Sequence, residues 1–288
     1  MIPAQFDYLS PQTLDEAVRL LGEHTDEAKI LAGGHSLIPA MKLRLAMPQI
    51  LIDLGRIRDL SYIREEGDQI RIGAMTTYYE IESSERLREI CPLLPETAAQ
   101  IGDVQVRNKG TIGGSLAHSD PAADLPAAII ALGAEMVAVG ANGERVIKAD
   151  DFFVDLMTTA LDAGEILREI RITAPKQGSG QAYLKMPQPA SGFAVVGVAV
   201  TLTRDQGGAC QSAGVGVTGV ASKAYRATGA EAALVGSSLD EQAINAAAAT
   251  ISDGVSLNGD LFASAEFRKH LAEVYARRAI QAAASRAK

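Results

Sequence analysis

Between Gly110 and Ser115 the chain reads Gly-Thr-Ile-Gly-Gly-Ser, three glycines and two hydroxyls in six residues. Glycine tolerates the positive φ angles that turn successive N–H groups to one side, and such concave arrays attract anions. A second segment of the same kind, Ala32-Gly33-Gly34-His35-Ser36-Leu37, follows the short apolar run Ile30-Leu31. Either segment alone is accounted for by a tight turn between packed elements. The two together fit a ligand with two phosphates, gripped from both sides. Neither is a phosphate loop ending in Gly-Lys-Ser/Thr, and neither is the dinucleotide fingerprint Gly-x-Gly-x-x-Gly. That fingerprint does occur at Gly214-Val215-Gly216-Val217-Thr218-Gly219, but inside a stretch that alternates like a β-strand. Close packing of small residues in a sheet is the better account of it.

The other residues with chemical potential are sparse. His35 and His118 stand in or beside the glycine segments and can touch a ligand there. His24 and His270 read as surface helix residues, and four histidines this scattered propose no metal site. Arg107 and Lys109 precede the second segment, where they either meet phosphate charge or cap a helix. Lys185, beside Met186-Pro187, reads as a solvated charge, and Tyr183 and Phe193 as core aromatics. No Ser/His/Asp arrangement stands out.

The elements that must position these residues are legible in outline. Thr13-Leu14-Asp15-Glu16 is a capping box that opens a helix. A strand at 29–31 leads into the first glycine segment, 41–45 continues as a helix, and Ile50–Leu54 is a buried strand. A first small lobe thus ends near residue 55. A hairpin over residues 60–74, turning at Gly67-Asp68, begins a second lobe, and Thr76 or Thr77 caps the helix that follows. Another helix runs over 96–101. Asp120-Pro121 marks a turn, and Asp124 stands where it can cap the apolar helix 125–132. Asn142-Gly143 signals a second hairpin. Ile166–Ile172 is a strand, and residues 175–180 form a linker. Beyond it, β runs over 193–203 and 211–221 precede helices over 226–234, 240–252 and 265–284. The last carries Phe267, Leu271, Val274, Tyr275 and Ile280 as one apolar face, for core packing or for a partner. The fold class is α+β, with domains at 1–176 (lobes 1–55 and 56–176) and 177–288.

Composition bounds the function. At 288 residues, with 47% hydrophobic residues and a net charge of −8, the chain is globular and unsuited to nucleic acid. Cys91 and Cys210 are far apart and form no Cys-x-x-Cys, so no iron–sulfur cluster is held here. No apolar run reaches the length of a membrane span, and Met1–Tyr8 resembles no leader. The expected location is cytoplasmic.

The pair Ala-Gly-Gly-His-Ser and Thr-Ile-Gly-Gly-Ser, with Asp120-Pro121-x-x-Asp124 and Gly164-Glu165-Ile166-Leu167, resembles the flavin-binding medium subunits of the molybdenum hydroxylases. These are the xanthine dehydrogenase relatives, and the pattern is nearest the carbon monoxide dehydrogenase type. The resemblance spans Phe6 to the C-terminal helix. It implies a two-lobed FAD-binding domain of the vanillyl-alcohol-oxidase/PCMH type followed by a smaller α+β domain. It assigns FAD to Ala32, Gly33, Gly34, His35, Ser36 and Leu37, and to Thr111, Ile112, Gly113, Gly114, Ser115 and His118. It puts Asp124 on ribityl or ribose hydroxyls, Leu167 against the flavin ring, and Lys185 near the ring's polar edge. Phe193 stands where the carbon monoxide dehydrogenase pattern has a ring-covering tyrosine, and Ser115 where an asparagine is common.

The implied role is electron transfer. A large partner subunit holds the molybdenum cofactor, and a small one passes electrons through 2Fe-2S clusters to the FAD, in a dimer of heterotrimers. An external acceptor (quinone, cytochrome, NAD or oxygen) takes them on, and the complex would allow a peripheral place at the inner membrane face. No residue of this chain is catalytic on the substrate in that reading. A self-sufficient FAD oxidase of the same fold is the rival, and the absence of a His or Tyr cluster to serve as base weighs against it. A scaffold whose glycine segments are only turns is the non-catalytic alternative.

Overall fold

The computed structural model describes residues 1–288. The first lobe is built from strand β1 (Asp7–Leu9), helix α1 (Leu14–Glu23), β2 (Ala28–Leu31), α2 (Leu37–Lys42) and β3 (Ile50–Asp53). Its strands pair in parallel in the order β1-β3-β2. Ala17, Val18 and Leu21 of α1 cover the sheet, packing with Ile50 and Ile52. Thr13 caps α1 by accepting the Glu16 N–H, but the Glu16 carboxylate takes the N–H of Gln12 (2.9 Å) and not that of Thr13. The box is therefore shifted by one residue on its return half. Helix α2 begins at Leu37, directly after the first glycine segment, and stops at Lys42, earlier than the sequence suggests. Arg44 turns there with φ +59.

The second lobe carries a five-stranded antiparallel sheet in the order β4-β5-β10-β6-β7. Its strands are β4 (Ile63–Glu66), β5 (Gln69–Gly73), β6 (Glu135–Gly140), β7 (Gly143–Lys148) and β10 (Ile166–Thr173). Between β5 and β6 come α3 (Tyr78–Ser83), α4 (Glu85–Ile90), α5 (Leu93–Ala98), α6 (Val104–Arg107), α7 (Ile112–His118) and α8 (Asp124–Ala131). A short helix α9 (Ala149–Phe152) and the hairpin β8 (Phe153–Asp155) and β9 (Thr158–Thr159) precede β10. Thr77 makes the full capping box with Glu80. Pro92 stands at the start of α5, so that helix opens three residues before the predicted one.

The C-terminal domain is a four-stranded antiparallel sheet, β11 (Gly180–Pro187), β12 (Ala194–Arg204), β13 (Cys210–Thr218) and β14 (Tyr225–Arg226), covered by α10 (Thr228–Leu234), α11 (Glu241–Ala249) and α12 (Ala265–Arg286). The predicted apolar face of α12 is corrected by the structure. Leu271 and Ile280 of that face are buried, in a stripe completed by Arg268, Ala272, Ala276, Ala279, Ala283 and Ala284, whereas Phe267 is exposed. Small side chains are needed because the helix lies very close to β11. A Cβ on Gly180 would sit 1.9 Å from the Ala283 carbonyl oxygen.

The two domains share an interface. All eight residues of α8 are buried, and the helix lies across β12 and β13. Cβ atoms on Gly214 and Gly216 would fall 2.1 and 2.0 Å from the carbonyl oxygens of Ala131 and Ala127. The Gly-x-Gly-x-x-Gly stretch is thus a groove for a helix and not a nucleotide site. Cys91 lies in the core of the second lobe and Cys210 in that of the C-terminal domain, both as free thiols. Burial pushes the Cys91 thiol up to about 12 and raises that of Cys210. No helix is long and apolar enough to cross a membrane.

Candidate functional site

The two glycine segments meet. A Cβ on Gly33 would lie 2.3 Å from the Lys109 carbonyl oxygen and 2.7 Å from the Gly110 Cα; one on Gly114 would lie 3.3 Å from the Ala32 Cβ. Backbone contact at this range admits no side chain at 33, and at 114 a Cβ would crowd the capping Thr111 hydroxyl at 2.8 Å, so glycine at both positions serves packing before any ligand is considered. Gly34 adds φ +76, the left-handed region. The second segment is not a loop but a helix start. Thr111 caps α7 by accepting the Gly114 N–H (3.1 Å), and Ile112 and Gly113 donate to the carbonyls of Thr76 and Ala74.

The first segment differs in one decisive respect. The N–H groups of Gly33, Gly34, His35 and Ser36 have no acceptor in the protein. Four successive donors with no protein acceptor, on residues that line the cleft, are available to an anion bound there. The donors thus come from 33–36, and the close approach comes from 110–114.

A cleft of about 210 Å³ runs between the segments. Ala32, Gly33, Gly34, His35, Ser36 and Leu37 line one wall, and Thr111, Gly114, Ser115, His118 and Asp124 another; Phe193 stands at the rim, 43% exposed. Sequence reasoning missed Tyr78, Ile101, Gly102, Val106, Gly110, Asp120, Ala123, Ser191 and Gly192, which also line it. Of these, Gly110, at the head of the second glycine segment, Asp120, in the Asp-Pro turn, and Tyr78, one residue past the cap at Thr77, had a local signal. Burial pushes the Tyr78 hydroxyl up to about 12, so it stays protonated.

Four expected site residues lie outside the lining. Ile112 and Gly113 are buried beneath it, with Gly113 pressed against Ala74. Leu167 is a core residue of β10, next to a bulge in its pairing with β6. Lys185 lies behind the wall. Its ammonium donates to the carbonyls of Gln100 (2.7 Å) and Gly192 (2.7 Å) and pairs with Asp124 (2.9 Å), which occupies its three protons. It is not the solvated charge its sequence neighbours suggest.

Asp124 likewise does not cap its helix with its side chain; Ala123 is the cap position, and Asp124 is the first helical residue. Its carboxylate accepts from the Tyr183 hydroxyl as well as from Lys185. Burial pushes the Asp124 carboxyl above its usual range, while Lys185 and Tyr183 oppose the shift. Loss of solvent and the adjacent carboxylate raise the Tyr183 hydroxyl. Arg107 is not in the lining; its guanidinium pairs with Glu82 (2.7 Å) and donates to the carbonyls of Ile101 and Gly102, which are. No group of His, Cys, Asp and Glu is arranged to hold a metal.

The family described as the FAD binding domain in molybdopterin dehydrogenase matches residues 4–175, and the CO dehydrogenase flavoprotein C-terminal domain matches residues 181–283. The chain is 42% identical to the carbon monoxide dehydrogenase medium chain of Afipia carboxidovorans, over all of both chains. It is 35% identical to the 6-hydroxypseudooxynicotine dehydrogenase complex subunit alpha of Paenarthrobacter nicotinovorans, covering all of this chain and 97% of that one. The structure of carbon monoxide dehydrogenase from Hydrogenophaga pseudoflava superposes with a TM-score of 0.97 at 43% identity, over the full length of both chains. The four free amides therefore lie in an FAD-binding domain, and the chain belongs to the family of flavoprotein medium subunits of the carbon monoxide dehydrogenase-like molybdenum hydroxylases.

Proposed function

We propose that this chain carries FAD in the cleft between its two glycine segments and relays electrons within a heterotrimeric molybdenum hydroxylase. The observation that carries the reading is the run of unpartnered N–H groups at Gly33–Ser36, suited to a pyrophosphate. The opposite wall fits the rest of the cofactor. Thr111 and Ser115 offer hydroxyls, and Asp124 keeps spare acceptor capacity for a ribityl or ribose hydroxyl. Phe193 can cover a ring by stacking but offers no hydrogen bond. Leu167 and Lys185 act from behind the wall, by packing and by holding Asp124 and Gly192.

Bound FAD would supply one- and two-electron redox chemistry, and the chain positions and shields it. No acid–base dyad is required of a relay. The molybdenum cofactor belongs to a large partner and the 2Fe-2S clusters to a small one, assembled as a dimer of heterotrimers. A quinone, cytochrome, NAD or oxygen is the external acceptor, and the location is cytoplasmic, with the complex at most peripheral to the membrane. The domain boundary falls in the linker at 176/177. Relatives named for carbon monoxide and for 6-hydroxypseudooxynicotine align with this chain over nearly its full length, which supports a substrate set by the large partner and not by this subunit.

The test is the visible spectrum of the full chain, alone and co-purified with its partners, after addition of FAD and desalting, with the heat-released flavin identified. Stoichiometric FAD in the complex is the expected result. A complex active on its substrate yet devoid of flavin would overturn the reading in favour of a scaffold. Oxidation of that substrate by the chain alone would favour the self-sufficient oxidase.

A further inference from the structure

Arg268, on the first turns of α12, is 6% exposed and far in sequence from every cleft residue. Its guanidinium donates to the carbonyls of Val195 and Gly219 and pairs with Asp260; its Nε has no partner in the protein. Those two carbonyls belong to the start of β12 and to the residue after β13, so the arginine ties two strand ends together. The same ends hold the turn that leads into α8. Gly219 donates to the Pro121 carbonyl (2.7 Å) and Ala194 to that of Ala122 (3.1 Å). The buried Thr218 hydroxyl lies 2.8 Å from the carbonyls of both Pro121 and Ala123. Three consecutive carbonyls are thereby fixed immediately before Asp124, and Phe193 is anchored by the residue after it.

We infer that Arg268 is a positioning residue for the flavin cleft, setting the wall formed by Ala123, Asp124 and Phe193 through Val195 and Gly219. The inference rests on the flavin reading above. A long, planar, fixed-charge donor suits the task, because one guanidinium reaches two carbonyls on different strands and a carboxylate besides. Without it the carbonyls of Val195 and Gly219 lose a charged donor in a buried place, and the strand ends can shift relative to each other.

The test uses the full chain in its complex with the partner subunits. Arg268→Met is expected to weaken FAD binding about tenfold and to alter the visible circular dichroism of the flavin. Arg268→Lys should restore part of both. Leu271→Ala, which removes core packing from the same helix, should lower Tm while leaving FAD affinity and the flavin spectrum unchanged. If Arg268→Met does not accumulate, Thr218→Val, which deletes the hydroxyl between the Pro121 and Ala123 carbonyls, should reproduce the flavin changes. Wild-type affinity and spectrum in Arg268→Met or Thr218→Val would overturn the inference, as would equal flavin changes in Leu271→Ala. A wild-type complex without FAD would remove the flavin reading first, and this inference with it.

Discussion

At the scale of single residues, the cleft is governed by which backbone atoms are free. Gly114 and Gly33 let two segments touch, and the four amides at 33–36 are left with nothing inside the protein to bond. Gly114→Val would push its branched side chain into Thr111 and Ala32, removing the cap of α7 and widening the cleft. Loss of FAD from the purified complex, measured as the flavin-to-protein absorbance ratio, is the expected outcome. A second prediction concerns acid. The Arg145 guanidinium beside Glu165, at 2.6 and 2.7 Å, holds its carboxyl below the usual range. A carboxyl lowered on folding stabilises above its unfolded value, and the contribution is lost as pH falls through the folded one. Glu165→Gln should therefore lower Tm at neutral pH and flatten its decline below about pH 5, as thermal melts across pH would show.

At the scale of elements, the close approach of α8 to β13 is the most exacting contact. Gly216→Val would place its side chain against the Ala127 carbonyl, where a Cβ alone falls at 2.0 Å. The helix must then lift, and because Asp124 opens that helix, both Tm and FAD content should fall. Overpacking of this kind costs about 1–3 kcal/mol in well-packed cores, and backbone contact puts this site at the upper end. The sequence made most such elements readable, because periodicity, caps and turn pairs are local signals. Thr77, Asn142-Gly143 and the strand at 166–173 all formed as their residues suggest. β11 was not legible: its residues 180–187 mix glycine, glutamine, lysine and proline, and pairing with β12 imposes the strand. The same holds for Lys185 and Tyr183. Their partners Asp124 and Gln100 are more than fifty residues away, so nothing local distinguishes a buried, saturated ammonium from a solvated one.

At the scale of the whole molecule, the two domains are joined through the buried helix α8. Ala199, Tyr183 and Ala224 from the C-terminal part belong to the same hydrophobic core as Ile72, Leu116 and Ile129. A fragment ending at residue 176 would expose the sheet-facing side of α8. It should aggregate or require detergent, and gel filtration of that fragment checks this. The intact chain should melt in a single calorimetric transition, whose van't Hoff and calorimetric enthalpies agree.

The two cysteines turn this cooperativity into something that can be timed. Cys91 reports on the core beneath α5 and Cys210 on the edge where α10 returns to β13, and both thiols are sealed from solvent and held protonated. An added disulfide reagent can modify either one only when its surroundings open. The natural sequence thus contains two built-in clocks, one per domain. Equal labelling rates under mild denaturant would mean that the halves open together, and a faster Cys210 would mean that the C-terminal domain loosens first.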